Sequence, residues 1–286
     1  MEATLFWLLP VMLRPLPFAL RVRVGGRIIG PILLLIPKTR KRLSDNLDLK
    51  YPDISPTEKR RFMGRITRNT GRRFIEIFYN GAFHKRLAEM HLEDGALDQI
   101  AKARKNGRPV ILVSGHFGQW EAPRAILKSA GFEAGAIYKK NNNPIFERHH
   151  YAEIAKGGEP LLQTGPAGAR AMVKHLKSGG IFAILLDQAN LKGALLDFFG
   201  LPAYTSLGAA ELALKYNALL VPCYGIFRRD GRNIDVIFEP AIPHSDPVSM
   251  TQALNDSLAA RIKTNPEQWY WLHRRWKMPQ SGTPSG

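Results

Sequence analysis

The chain has little cysteine, and its few histidines are scattered. Cys223 is the only cysteine among 286 residues, so no internal disulfide can form. It lies in the apolar run 219–226 with no neighbouring base in the sequence, which favours a core residue over a nucleophile. His149 and His150 form the only other histidine cluster, and they show no recognised ligand spacing with His116. We therefore predict no disulfide framework, no metal site and no cofactor.

Acidic residues are scarce relative to basic ones. Lys and Arg total 41 against 24 Asp and Glu, a formal net charge of +17. Such an excess favours anionic partners, and nucleic acid, anionic lipid and an acidic carrier protein all qualify. Hydrophobic residues make up 45% of the chain, too few for a polytopic membrane protein. Charge alone does not choose among the three partners.

A clean hydrophobic span is missing at the amino terminus. Residues 3–20 are apolar except for Arg14 but contain three prolines, and the second apolar run, 28–36, would cover only about 14 Å as a helix. A signal peptide is not indicated, because no clear cleavage site follows. We expect residues 1–37 to associate with a membrane, either as one imperfect span or as a broken helix in the interface. The alternative is a hydrophobic helix that covers the core of a soluble protein.

Basic side chains follow this segment in two groups. The cluster at 38–42 suits the anionic cytoplasmic leaflet of a membrane. A helix then begins at Pro56, with Ser55 as N-cap and Glu58 completing a capping box, and it extends to about Tyr79. Its arginines share one face, which is either a solvated surface or a surface for lipid phosphates or an acidic carrier protein. That stripe consists of Arg61, Arg65, Arg68 and Arg72.

One histidine stands at the end of a buried strand. The β-branched and apolar run 109–113 predicts a strand buried on both faces, and it delivers His116 to the following loop. Glu121 comes five positions later, where a helical pattern begins. A carboxylate there can hold one ring nitrogen of His116 while the other nitrogen takes a proton. The pair is a candidate for general-base chemistry.

Strands alternate with helices along the rest of the chain, which predicts an α/β sandwich with a mostly parallel sheet. The strand at 181–186 ends in Asp187. Because active loops of such folds lie at the strand carboxyl ends, one sheet edge can bring His116 and Asp187 together.

Four motifs in order resemble a known family. They are the H-x4-E pair with its flanking Gly115, Phe117, Gly118 and Trp120, the Asp-Gln strand end at 185–188, the FFG-x-PA-x-T segment at 197–205, and the PEQW and RW segments at 266–277. Together they resemble the lipid A biosynthesis (lauroyl/myristoyl) acyltransferases, within the H-x4-D/E lipid acyltransferase superfamily. The resemblance implies a glycerol-3-phosphate-acyltransferase-like α/β sandwich. We assign 38–279 to this acyltransferase domain and 280–286, by composition, to a disordered tail.

The resemblance also implies roles. His116 is the expected base and Glu121 its orienting carboxylate, while Arg170, Asp187 and Gln188 are expected to bind substrate. An acyl carrier protein is the expected donor and a lipid A precursor the acceptor, which implies the cytoplasmic face of the inner membrane. Phe198 and Phe199 line the acyl groove or belong to the core. The alternation of His273, Arg274, Arg275 and Lys277 with Trp271 and Trp276 fits an interfacial belt, and it also fits nucleic-acid binding.

Two other functions remain open. The first is an acyltransferase of the same superfamily with another acceptor, such as a phosphoinositol mannoside, an ornithine lipid or a phospholipid. The second is a non-catalytic basic protein that binds membrane or nucleic acid, which gives His116 and Glu121 no role. We expect no nucleic-acid partner.

Overall fold

The computed structural model describes residues 2–279, apart from the side chains of residues 2–7 and Asp94; the predicted tail at 280–286 lies outside this range. The α-helices are α1 Glu2–Leu13, α2 Phe18–Leu35, α3 Pro37–Lys50, α4 Pro56–Phe78, α5 Asn80–Phe83, α6 Leu97–Lys105, α7 Ala122–Ser129, α8 Pro144–Ala155, α9 Pro166–Lys177, α10 Gly208–Lys215 and α11 Pro247–Thr264. The strands are β1 Met90–Asp94, β2 Val110–Ser114, β3 Ala134–Tyr138, β4 Leu161–Gln163, β5 Ile181–Leu185, β6 Ala194–Phe198, β7 Leu201–Thr205, β8 Leu219–Phe227 and β9 Ile234–Phe238.

A seven-stranded sheet organises these elements, with the strand order β1-β9-β8-β2-β5-β3-β4. Its neighbours pair in parallel except for β8 and β9, which are antiparallel. The predicted α/β class with a mostly parallel sheet is therefore confirmed. Strand β2 lies inside the sheet with all five residues buried, as its unbroken apolar run predicted. A separate antiparallel hairpin, β6 and β7, stands beside the sheet.

The amino-terminal segment forms two helices and not one continuous span. Within residues 2–279, no helix combines the length and the apolar character that crossing a membrane requires. Helix α2 instead lies against α4 at very short range. A Cβ atom on Gly26 would come within 2.4 Å of Arg72 Cγ, and one on Gly30 within 3.0 Å of the Arg68 backbone. Glycine at these positions is what allows the two helices to pack so closely.

The carboxyl-terminal segment is part of the core. Trp269 and Trp271 are fully buried, and Trp276 is almost so. Arg275 is also fully buried, because its guanidinium donates to the Tyr204 carbonyl and the Thr205 hydroxyl on β7. The expected interfacial belt is therefore wrong for these side chains, since a buried, hydrogen-bonded arginine cannot face a membrane surface. Phe198 packs against Trp269 and Trp276. Of the two possibilities for this residue, acyl groove or core, the structure therefore supports the core.

Candidate active site

Two parallel strands place a histidine and an aspartate side by side. Ser114, the last residue of β2, pairs in register with Leu185, the last residue of β5. Each strand is followed two residues later by a polar side chain, His116 after β2 and Asp187 after β5. Parallel strands end at the same sheet edge, so both side chains emerge there, as the sequence predicted.

The Asp187 carboxylate forms hydrogen bonds with both the ring and the backbone of His116. One oxygen lies 2.7 Å from His116 Nδ1, and the other accepts the His116 backbone N–H at 2.9 Å. Burial alone would raise the pKa of Asp187, but the attraction and hydrogen bond of His116, with smaller contributions from His273 and Trp269, hold it well below its ordinary value. An ionised carboxylate only accepts hydrogen bonds. Nδ1 therefore carries the proton, and Nε2 of the neutral ring keeps a free lone pair.

The closing aromatic segment completes this arrangement. Trp269 Nε1 donates to the second Asp187 oxygen at 2.8 Å, and the Tyr270 backbone N–H donates to the His116 carbonyl at 2.9 Å. Phe117 forms an isolated antiparallel bridge with Trp269. The PEQW segment thus fixes both members of the His–Asp pair. Sequence reasoning identified this motif but not its contact with the loop that carries His116.

Glu121 does not hold the His116 ring. Its carboxylate accepts two hydrogen bonds from Arg124 Nη1, at 3.0 and 2.8 Å, and one from Asn80 Nδ2 at 3.3 Å, with His84 Nε2 at 3.5 Å. The expected contact with His116 is replaced because Arg124, one helical turn further along, offers a full positive charge to a buried acid. Burial would raise the pKa of Glu121, but Arg124 and His84 lower it to about 2.

Arg73 on α4 is a site residue that sequence reasoning missed. It is 3% exposed, and its guanidinium donates to the His116 carbonyl at 3.1 Å and to the Gln268 carbonyl at 2.7 Å. The same group lies 4.9 Å from the ring centre of Trp120. Burial lowers the pKa of Arg73 to about 10 despite the attraction of Glu76. Arg73 therefore joins the loop that carries His116 to the PEQW segment, and it remains charged at neutral pH.

A second histidine adjoins the first. The His273 ring lies 4.7 Å from that of His116, centre to centre, and its Nε2 is 3.3 Å from Gln188 Nε2. Burial and the repulsion of His116 lower the pKa of His273 to about 4. His273 is therefore neutral near pH 7. The structure thus brings Gln188, a predicted substrate-binding residue, to the entrance of the site.

Arg170 stands apart from these groups. It is exposed near the amino end of α9 and is not part of the wall of the cavity at His116. The described residues show no hydrogen bond or ion pair for its side chain. The structure shows no contact that tests the predicted substrate-binding role of Arg170, which stays a prediction.

An apolar cavity of about 410 Å³ opens at His116. This volume falls in the range of about 300–1,000 Å³ typical of small-ligand pockets. Ser114 Oγ is buried on this cavity without a hydrogen-bond partner, and Glu121 also lines it. Cys223 lines it too, and burial raises the pKa of its thiol far above the ordinary value, so it stays protonated. The apolar wall includes Leu112, Ala136, Ile154, Leu161, Ala183 and Leu185.

The chemistry of this arrangement is that of a base beside an apolar pocket. Nε2 of His116 can take a proton from a hydroxyl, while Asp187 stabilises the imidazolium that results. Within the described part of the chain, no group of three or more His, Cys, Asp or Glu side chains is placed to hold a metal ion. The mostly apolar lining of the cavity suits an aliphatic group.

Comparison with known proteins finds similarity to acyltransferases. The family model described as bacterial lipid A biosynthesis acyltransferase matches residues 3–278. The Escherichia coli K12 lipid A biosynthesis lauroyltransferase is 26% identical over 94% of this chain and 89% of its own length. The Haemophilus influenzae lipid A biosynthesis acyltransferase is 22% identical over 94% of this chain and 84% of its own. A Mycolicibacterium smegmatis phosphatidylinositol mannoside acyltransferase is 27% identical over 68% of this chain and 64% of its own.

Proposed function

The chain belongs to the bacterial lipid A biosynthesis acyltransferase family, and we propose from this premise that it transfers a fatty acyl chain from acyl carrier protein to a hydroxyl of a lipid A precursor. Family membership makes it an acyltransferase of glycolipid biosynthesis. The donor, the acceptor and the residue roles are our proposal. The observation that carries them is the His116–Asp187 pair at the mouth of an apolar cavity.

In the proposed mechanism, Nε2 of His116 removes the proton of the acceptor hydroxyl as its oxygen attacks the thioester carbonyl. The new C–O bond forms a tetrahedral intermediate, and its collapse breaks the C–S bond. The imidazolium then returns the proton to the departing thiolate, so His116 ends neutral. No serine or cysteine nucleophile takes part, because the thioester is already activated. Asp187 keeps the proton on Nδ1 before attack and stabilises the imidazolium during it.

Besides a base, acyl transfer needs a donor that stabilises the carbonyl oxygen and an apolar groove for the acyl chain, and we propose that the cavity supplies both. Its apolar wall accepts the acyl chain, and Ser114 Oγ is an unpaired donor at the same strand end that can bind the carbonyl oxygen. We propose that Gln188, at the entrance, contacts the acceptor and that Arg170 binds an acceptor phosphate. In this proposal Glu121 has a structural role in place of the expected orienting role, because its pair with Arg124 fixes the start of α7 beside the cavity.

A membrane surface is the proposed location, on the cytoplasmic face of the inner membrane. Large apolar side chains of α1 and α2 are exposed, with Met12 at 75% and Leu35 at 77%. Arg23 and Arg27 are exposed on α2 as well. Apolar side chains flanked by arginines are typical of a helix that lies in the interface of an anionic membrane. The net charge of +17 also suits an acidic carrier protein.

A second acceptor class has a specific observation in its favour. The phosphatidylinositol mannoside acyltransferase of Mycolicibacterium smegmatis is 27% identical to this chain. A phosphorylated glycolipid other than a lipid A precursor is therefore the alternative acceptor. The chemistry at His116 is the same for both.

An acceptor panel tests the proposal. Purified protein in detergent is given acyl carrier proteins loaded with different acyl chains, together with a tetraacylated lipid A precursor, a phosphatidylinositol mannoside, an ornithine lipid or a lysophospholipid. The acyl chains carry a radiolabel. We expect labelled product with the lipid A precursor for the wild type and for the control His91→Ala, which changes an exposed histidine on β1. We expect none for His116→Ala. Label only on another acceptor would favour the second class. Label on none of them would refute the proposal.

A further inference from the structure

Six arginines surround one cleft of about 210 Å³ that lies between α2 and α4. They are Arg23 and Arg27 on α2, Arg68 and Arg72 on α4, and Arg86 and Arg232 on the adjoining loops. None of the residues that line this cleft also lines the cavity at His116. The cleft is therefore a separate feature of the molecule.

The charges around this cleft do not balance. Its wall contains two carboxylates, Glu76 and Asp230, and a third, Glu89, pairs with Arg86 and Arg232. Even if each of these acids offsets one arginine, three positive charges remain. Like charges held this close repel one another unless an anion lies between them. The surplus is large enough to neutralise a phosphate monoester, which carries between one and two negative charges near pH 7.

The donors at the cleft are available to a ligand. Among the described residues, Arg23, Arg27 and Arg68 have no carboxylate partner, and all three are exposed. Arg72 donates to the Gly231 carbonyl, but its Nε is buried and lacks a hydrogen-bond partner. Guanidinium groups present planar, forked donors that match phosphate oxygens.

Packing between the two helices holds this cleft in shape. Gly26 of α2 lies directly against the Arg72 side chain, and Gly71 of α4 lies against Ile29. The basic surface also continues into a neighbouring cleft that Arg68 and Arg72 share with Arg228. This packing fixes the backbone positions of the arginines on α2 and α4, so that part of the site needs no ordering when a ligand binds.

We propose that this cleft binds the phosphate group of a phosphorylated ligand, preferentially a monoester. The arginines of α2 and α4 contact its oxygens. This inference does not rest on the proposed acyl transfer, because phosphate binding needs neither a donor thioester nor His116. The phosphate can belong to a lipid headgroup or to a soluble compound, and the chemistry of recognition is the same.

Binding measurements with two double variants test the inference. Isothermal titration calorimetry with glycerol 3-phosphate, at constant ionic strength, is done on the wild type, on Arg27→Gln/Arg68→Gln and on the control Arg60→Gln/Lys102→Gln. The control removes the same charge from exposed positions outside the cleft. We expect the cleft variant to bind at least about tenfold more weakly, since it loses two guanidinium donors to the phosphate oxygens, and the control to stay within about twofold.

A vesicle arm separates the two sources of phosphate. Phosphatidylcholine vesicles that contain phosphatidic acid, a monoester, are compared with vesicles that contain phosphatidylglycerol, a diester. Preference for phosphatidic acid that disappears in Arg27→Gln/Arg68→Gln supports a lipid headgroup, and calorimetric binding without this preference supports a soluble phosphate. Equal affinity of the cleft variant and the wild type, or equal weakening in the control, would overturn the inference. His116→Ala should retain full phosphate affinity, so a failure of the proposed acyl transfer is seen independently.

Discussion

Replacing Asp187 by Asn probes the proposed catalytic pair, His116 and Asp187, most selectively. One carboxylate oxygen accepts two donors, the His116 backbone N–H and Trp269 Nε1, and the other faces His116 Nδ1. The amide oxygen of Asn can keep the first two bonds. Its NH₂ group then faces Nδ1, and this favours the tautomer in which Nδ1 accepts and Nε2 carries the proton. Nε2 is then no longer a base, although the fold is preserved.

The expected loss follows from the contribution of general-base catalysis, about 10²- to 10⁴-fold. At 1.36 kcal/mol for each factor of ten, this corresponds to about 3–5 kcal/mol of transition-state stabilisation. We expect kcat of Asp187→Asn to fall by that factor with KM little changed, because the apolar cavity and the entrance are untouched. The assay measures initial rates of acyl transfer over a donor concentration series, with the thermal midpoint of each protein as a check of folding.

Glu121→Gln is the matched comparison for this prediction. Gln leaves the buried Arg124 without its carboxylate, and breaking a buried ion pair costs about 3–5 kcal/mol of stability. We therefore expect a lower thermal midpoint for Glu121→Gln and a preserved rate per folded molecule at low temperature. A normal kcat in Asp187→Asn together with a large loss of kcat in fully folded Glu121→Gln would refute the proposed roles of these two carboxylates.

Three further predictions address the neighbouring groups. Arg73→Lys keeps the charge but loses the guanidinium group whose two NH₂ groups donate to the His116 and Gln268 carbonyls. Because the position of His116 is then less well fixed, kcat should fall about 10- to 100-fold with little change in KM. Ala183→Leu fills the cavity, so the preferred donor in the acyl series should become shorter. Burial raises the pKa of Glu76 to about 7, so its contribution to the free energy of unfolding is present below about pH 4.5 and is lost as the pH rises through 7. Chemical denaturation should therefore show that the unfolding free energy of Glu76→Gln, measured relative to that of the wild type, rises by about 3 kcal/mol between pH 4 and pH 8.

Each of these predictions has an opposing result. If Arg73→Lys changed KM but not kcat, Arg73 would contact the substrate and would not act by positioning His116. An unchanged donor preference in a stable Ala183→Leu protein would exclude the cavity as the acyl site. A constant difference in unfolding free energy between the wild type and Glu76→Gln across this pH range would show that Glu76 does not titrate there.

Local signals predicted much of the fold. Ser55 accepts the Glu58 backbone N–H, as the capping box indicated, and α4 runs from Pro56 to Phe78 as expected. The bounds of β3, β8 and β9 agree with their apolar runs, because glycine or polar turns interrupt the chain at their ends. The proximity of His116 and Asp187 followed from a rule of parallel sheets. These features depend on neighbours in the sequence or on the general geometry of the fold.

Contacts that depend on competing partners or on residues far apart in the chain were not predictable in the same way. Whether Glu121 turns to His116 or to Arg124 depends on competition between two partners, which spacing does not reveal. Arg73 contacts a carbonyl 43 residues away and another 195 residues away. Trp269 was read as part of a motif, but its bond to Asp187 spans 82 residues. The β6–β7 hairpin was also missed, since its turn places Phe199 and Gly200 at positive φ, which is unusual for phenylalanine.

The most direct test of the central claim is a single-turnover measurement with stoichiometric acyl carrier protein thioester and tetraacylated lipid A precursor. Mass spectrometry follows both the acylated lipid and the protein for the wild type and His116→Ala. We predict that the wild type forms a lipid heavier by one acyl group, that no acyl group is attached to the protein at any time, and that His116→Ala forms product at least about 100-fold more slowly. An acylated protein intermediate, or an unchanged rate in His116→Ala, would contradict direct transfer with His116 as the base.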